Sequence, residues 1–196
     1  MIVLPDGSGY LNQIGKQGVE RLQAWTRAGG ALIAIKGASA FLRDKEVAMS
    51  QLKPWTPEKE ESEDKDEEAA AEEEVDRYTD FRIPGAAFRT NMNERSYLTF
   101  GLPRSPAVML EGSIAILPAA KRIDNIVTVV EKDPLISGFA WPESVERVKS
   151  SAYLVAEPYG SGSIITFADE PYYRLFWRGT LPLFMNAILY TPSFER

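Results

Sequence analysis

The sequence predicts an α/β domain: a mostly parallel, doubly wound sheet flanked by helices, with a strand-rich second half. Three observations predict it. Ile2-Val3-Leu4 and Ala31-Leu32-Ile33-Ala34-Ile35 are apolar throughout, as strands covered on both faces are. Between them Ile14, Val19, Leu22 and Trp25 form an apolar stripe at helical spacing. A second helical stretch follows the second run, and strand, helix, strand, helix is the order that builds a parallel sheet by crossovers.

Taken in order, the first strand ends at Pro5-Asp6-Gly7, which cannot continue it. A helix is predicted from Asn12 to Ala28, with Gly29-Gly30 as its C-terminal stop. The second strand leads into a turn and a helix from Ser39 to Met49. From Phe81 onward the pattern is strand-rich. Candidate strands are Ala87 to Thr90, Val108 to Leu110, Ile114 to Leu117, Ile126 to Val130, Ala152 to Ala156 and Ser163 to Phe167. Gly160-Ser161-Gly162 reads as a hairpin turn between the last two. A closing helix from Leu181 to Tyr190 turns Leu183, Phe184, Ala187 and Ile188 inward.

Composition excludes several chemistries. The 196 residues contain no Cys and no His. Disulfides, thiolate nucleophiles, imidazole bases and Cys or His metal ligands are therefore absent from this chain. The net charge of −6 is the sum of −9 in residues 58–74 and +3 elsewhere. A body of +3 carries no footprint for phosphate or nucleic acid. No run approaches the roughly 18 apolar residues of a membrane span, and no export signal opens the chain. Residues 57–76 are acidic, Ala-rich and almost free of large apolar groups, and are read as a disordered, solvated insert in a single domain spanning 1–196. A domain opening on a buried strand is read as the C-terminal part of a longer protein.

In doubly wound sheets chemistry gathers at the carboxyl ends of the strands. Those ends carry Asp6, Lys36-Gly37-Ala38-Ser39 and Ala168-Asp169-Glu170. Here the chain resembles the class I glutamine amidotransferase-like superfamily, whose fold is flavodoxin-like. Its sharp nucleophile turn, G-I-C-x-G, corresponds to Ala34-Ile35-Lys36-Gly37-Ala38, with Lys36 where the Cys would stand. Its late Phe-His-Pro-Glu sequence corresponds to Phe167-Ala168-Asp169-Glu170, with Ala168 for the His and Glu170 kept. The resemblance implies a degenerate site of Lys36, Ala168 and Glu170 with no catalytic residue.

A narrower resemblance is to the domain fused C-terminal to carboxypeptidase A-like zinc metallopeptidases of bacteria. It rests on Leu4-Pro5-Asp6-Gly7, Trp25 before Gly29-Gly30, Ile83-Pro84-Gly85 with Phe88-Arg89, and Leu135-Ile136-Ser137-Gly138. Gly160-Ser161-Gly162, Asp169-Glu170-Pro171 and the run from Tyr173-Arg174 through Trp177-Arg178-Gly179-Thr180 to Asn186-Ala187 complete it. It implies an accessory domain with no cofactor of its own, the zinc lying in an upstream catalytic domain, which is then the partner. It also implies export or a periplasmic setting for such a parent; the chain itself does not fix a location.

Other constellations compete at the same positions. Ser39 is a nucleophile with Lys36 or Lys45 beside it, or the cap of the helix that follows. Asp6, Asp169 and Glu170 converge on a cation, or serve turns, the pair Asp169-Glu170 joining Arg174. Tyr173, Arg174, Trp177 and Arg178 form an interface patch, or their aromatics are core. Gly7-Ser8-Gly9 fails the dinucleotide spacing because position 12 is Asn12. Together these features predict a non-catalytic accessory domain, with a strand-end ligand crevice and a residual serine/lysine hydrolase as alternatives. The edge of the sheet at Ile2-Val3-Leu4 is expected to pair with another chain, a homodimer among the outcomes.

Overall fold

A computed structural model describes residues 1–55, 82–119 and 123–194. The acidic segment expected to be disordered, 57–76, lies outside them.

Strand β1 (Ile2–Leu4), helix α1 (Tyr10–Arg27), strand β2 (Ala31–Ile35) and helix α2 (Ala38–Arg43) form the predicted alternation. Strands β3 (Ile83–Phe88), β4 (Thr90–Met92), β5 (Val108–Gly112), β6 (Asp124–Val129) and β7 (Leu135–Phe139) follow. Helix α3 (Pro142–Val148), strands β8 (Ala152–Tyr159) and β9 (Gly162–Phe167), and helix α4 (Leu181–Phe194) close the chain.

The large sheet has the order β1-β2-β9-β8-β6-β4. Pairing is parallel through β1, β2 and β9 and antiparallel beyond. A second sheet, β5-β3-β7, is antiparallel. Side chains alternate across β2 and β9. Leu32, Ala34 and Ile164 meet α1 and α2 with Val19, Phe41 and Leu42. Ile33, Ile35, Ile165 and Phe167 meet Leu183 and Ala187 of α4. Helices on both faces explain why β2 is buried at all five positions.

Three expectations are corrected. The helix predicted to reach Met49 stops at Arg43, because Asp44 accepts the Glu46 N–H at 2.8 Å and this local bond replaces the next helical turn. The run from Ala87 to Thr90 is not one strand. The chain leaves the small sheet after Phe88 and enters the large one at Thr90, with Arg89 bridging to Pro134 O at 2.7 Å and to Val130 N at 3.0 Å. The run from Ile114 to Leu117 makes only isolated bridges, from Ile116 to Pro54 and Ala152, and Pro118, which has no N–H to donate, follows it at once. Strand β7 and helix α3 were not foreseen.

Candidate functional site

The candidate site is built where β2 ends. Lys36 N–H still donates to Phe167 O (2.8 Å), continuing the parallel pairing, and then the chain turns sharply at Lys36, φ 50°. Helix α2 starts two residues later. A strand, a left-handed residue and a helix are the local shape of a nucleophile elbow. Gly37 is required next: a Cβ there would lie 2.7 Å from both Asp6 Oδ1 and Gly7 O. The bare backbone lets Asp6 accept the Gly37 N–H at 2.9 Å, fastening the end of β1 to the turn.

The Lys36 ammonium lies 3.0 Å from Asp169 Oδ1 and 3.8 Å from Glu111 Oε2. Its side chain is 15% exposed and that of Asp169 is 5% exposed, so the pair is largely withdrawn from water. Burial works against the ammonium, but Asp169, Glu111 and Asp6 together outweigh it and hold Lys36 above the ordinary lysine range. Burial pushes Asp169 up to about 6, against the pull of Lys36 and of two backbone N–H groups. Those donors are Glu170 N–H (2.8 Å) and Glu111 N–H. Asp169 therefore ties the end of β9 in the large sheet to β5 in the small one.

Arg147 of α3, 3% exposed, approaches from the far side and donates to Ser113 O and to Gly112 O (3.4 Å). Burial pushes its guanidinium down to about 10. Glu111 and Arg147 were missed by sequence reasoning. The Glu111-Gly112 strand end was legible as a turn, but nothing in it points to Lys36. Arg147 is one charged residue among several in its helix.

The structure brings Lys36, Asp6 and Asp169 together and separates the rest. Ala168, at the position of the family's His, is buried in an apolar cluster with Leu52, Ile116 and Val155. Ser39 is not the helix cap. Gly37 holds that position, and the Ser39 hydroxyl is buried without a partner among the described residues. Glu170 makes no ion pair with Arg174 among the described residues; the Arg174 guanidinium lies 5.0 Å over the Tyr173 ring. Among the described residues no cluster of three carboxylates is placed to hold a cation. The aromatic–arginine run divides. Tyr172 packs on Phe184 at 5.1 Å and the Trp177 indole donates to Ala107 O at 3.3 Å, both inward. Leu175 and Phe176, at 71% and 75% exposed, face water with Arg174 and Arg178. Beside the elbow, Gly7 to Asn12 and the start of α2 enclose a hollow of about 330 Å³.

The fold is matched among solved structures. A ThuA-like protein from Bacteroides uniformis superposes with a TM-score of 0.53 at 11% identity, covering 99% of this chain and 70% of that one. A cytoplasmic protein from Salmonella typhimurium gives 0.53 at 12% identity, over 95% and 69%. Identities this low show the fold alone, which is flavodoxin-like. No protein-family profile matches the chain, and no curated protein does.

Proposed function

We propose that this chain is a non-catalytic accessory domain in which the nucleophile elbow of an amidotransferase-like fold has become an internal ion pair. One observation carries the reading. The elbow residue is Lys36, its amine held protonated 3.0 Å from a buried Asp169. A protonated amine has no lone pair with which to attack. Ala168, set in an apolar cluster, leaves no base in the companion position. The elbow's remaining work is mechanical: Lys36 and Asp169 join β2, β5 and β9.

In the finer form of this proposal the domain belongs to a zinc carboxypeptidase-like protein and packs on its upstream catalytic domain, with the zinc held there. The reading frame upstream of the Met1 codon decides this: it should encode a His/Glu/His zinc domain, and any other domain there would refute the parent.

The isolated chain should turn over neither glutamine nor a p-nitrophenyl ester. Ester hydrolysis that disappears in Ser39→Ala would establish instead the serine/lysine hydrolase, against which the burial of the Ser39 hydroxyl already weighs. A second reading, a small-ligand domain, is favoured by the hollow of about 330 Å³ beside the elbow. A thermal-shift screen separates it, since only a ligand domain gains stability from a small molecule.

A further inference from the structure

A larger open cavity, about 1080 Å³, lies at the other end of the parallel strands, where β2 and β9 begin. Higher up that sheet face, Ile33, Ile35, Ile165 and Phe167 fill the space under α4. At this end the floor is made of small residues. Ala31 and Ser163 pair in register, Ala156 lies beyond them, and no bulky side chain replaces the lost volume. Trp25 forms one wall, and Tyr97 with Leu98 forms another.

The charged side chains of the lining have one sign, and Met1, which carries the chain's α-amino group, lines it as well. The lining includes Asp124 and Glu157 and no Lys or Arg side chain. Asp124 pairs in register with Ala156 and so shares its face, toward the cavity. Glu157 contributes field more than contact, because its carboxylate accepts from Ser50 Oγ (2.6 Å) and Gln51 N–H (2.9 Å). Ser163, 3% exposed, has a hydroxyl with no partner among the described residues. Strand alternation turns it to the face of Ile165, which is the cavity face. A buried hydroxyl without a partner is a standing cost that a ligand can relieve.

We propose that this cavity is a binding site for a small organic cation, an amine with an apolar body. An ammonium would pair with Asp124, donate to the Ser163 oxygen and lie against the Trp25 or Tyr97 ring, the geometry in which aromatic faces attract cations. Phosphates and carboxylates find no Lys or Arg side chain in this lining. The proposal is independent of the accessory-domain reading, because the cavity shares no residue with the elbow.

The test is a ¹H–¹⁵N NMR titration with phenethylamine, using phenylethanol and phenylacetate as neutral and anionic counterparts. Phenethylamine should shift the amides of Gly29, Ser161 and Ser163 and saturate, with phenylethanol at least about tenfold weaker and phenylacetate silent. Asp124→Asn, at an exposed position, should weaken the amine about tenfold while leaving the melting temperature unchanged. Ser163→Ala should weaken it less. Equal binding of the amine and the alcohol, unchanged affinity in Asp124→Asn, or shifts confined to other residues would each overturn the proposal. So would silence of the amine at about 20 mM.

Discussion

Lys36 and Asp169 each make sense only with the other present. Asp169, pushed up to about 6, takes up its proton more readily in the folded chain than in the unfolded one. Its contribution to stability is thus greatest at acid pH and declines as pH rises through about 4 to 6. Lys36, raised, contributes stability that is complete below the ordinary lysine pKa and is lost as pH rises through its folded value. Lys36→Met leaves the carboxylate buried and unpaired, which typically costs about 3–5 kcal/mol. That cost exists only while Asp169 is ionised. Urea unfolding should therefore show the variant much weaker than the parent at pH 8 and close to it at pH 5. Adding Asp169→Asn, which still offers an acceptor to a backbone N–H, should recover most of the loss at pH 8. An equal loss at both pH values would mean that the pair carries no charge linkage.

Among the elements, the tightest joint is where α1 ends against β9. A Cβ on Gly162 would lie 2.2 Å from Thr26 O and 2.3 Å from Gly30 O, both backbone atoms. Relief requires the end of α1 to move off the sheet. Gly162→Ala should cost about 3 kcal/mol, whereas Gly9→Ala, with open space and φ 74°, should cost about 1 kcal/mol. Chemical denaturation of the two variants checks the ranking, and equal losses would show that backbone conformation, not approach, governs Gly162. The sequence announced a hairpin at Gly160-Ser161-Gly162 through its residue types. It held no sign of the partner that makes Gly162 irreplaceable, because that partner comes from α1.

Strand β7 stayed hidden for a related reason. Gly138 breaks the apolar run Leu135-Ile136, yet its φ of 90°, and the 2.7 Å that would separate an added Cβ from Gly85 O, make it the residue that lets β7 lie on β3. Helix α3 has local signals in Pro142 at its start and Glu143 in its first turn, but its seven residues are too few to show a helical period. The elbow was legible because strand, Gly and helix are local signals. The ion pair at its centre was not, since Lys36, Glu111 and Asp169 are far apart in sequence.

For the molecule as a whole, the open question is what meets the edges of the large sheet. Its edge strands are β1 and β4, three residues each. Strand β4, Thr90-Asn91-Met92, is partly polar, and β1, Ile2-Val3-Leu4, is wholly apolar with no charge or proline inside it. Among the described residues no strand covers this edge, and such an edge is a template for another strand. Two copies meeting antiparallel through β1 form a two-fold contact that closes and does not propagate. We expect a dimer, measured by light scattering coupled to size exclusion. Val3 is a poor place to test it, since Val3 packs against the core and a lysine there would unfold the strand. Ile2, 38% exposed, is the better one. Ile2→Lys should weaken association about tenfold or more with little change in melting temperature. When the proposed upstream domain is present in the same polypeptide, its chain should cover this edge and the dimer should disappear. A strict monomer at high micromolar concentration without that domain would show that three residues offer too little edge to hold a second copy.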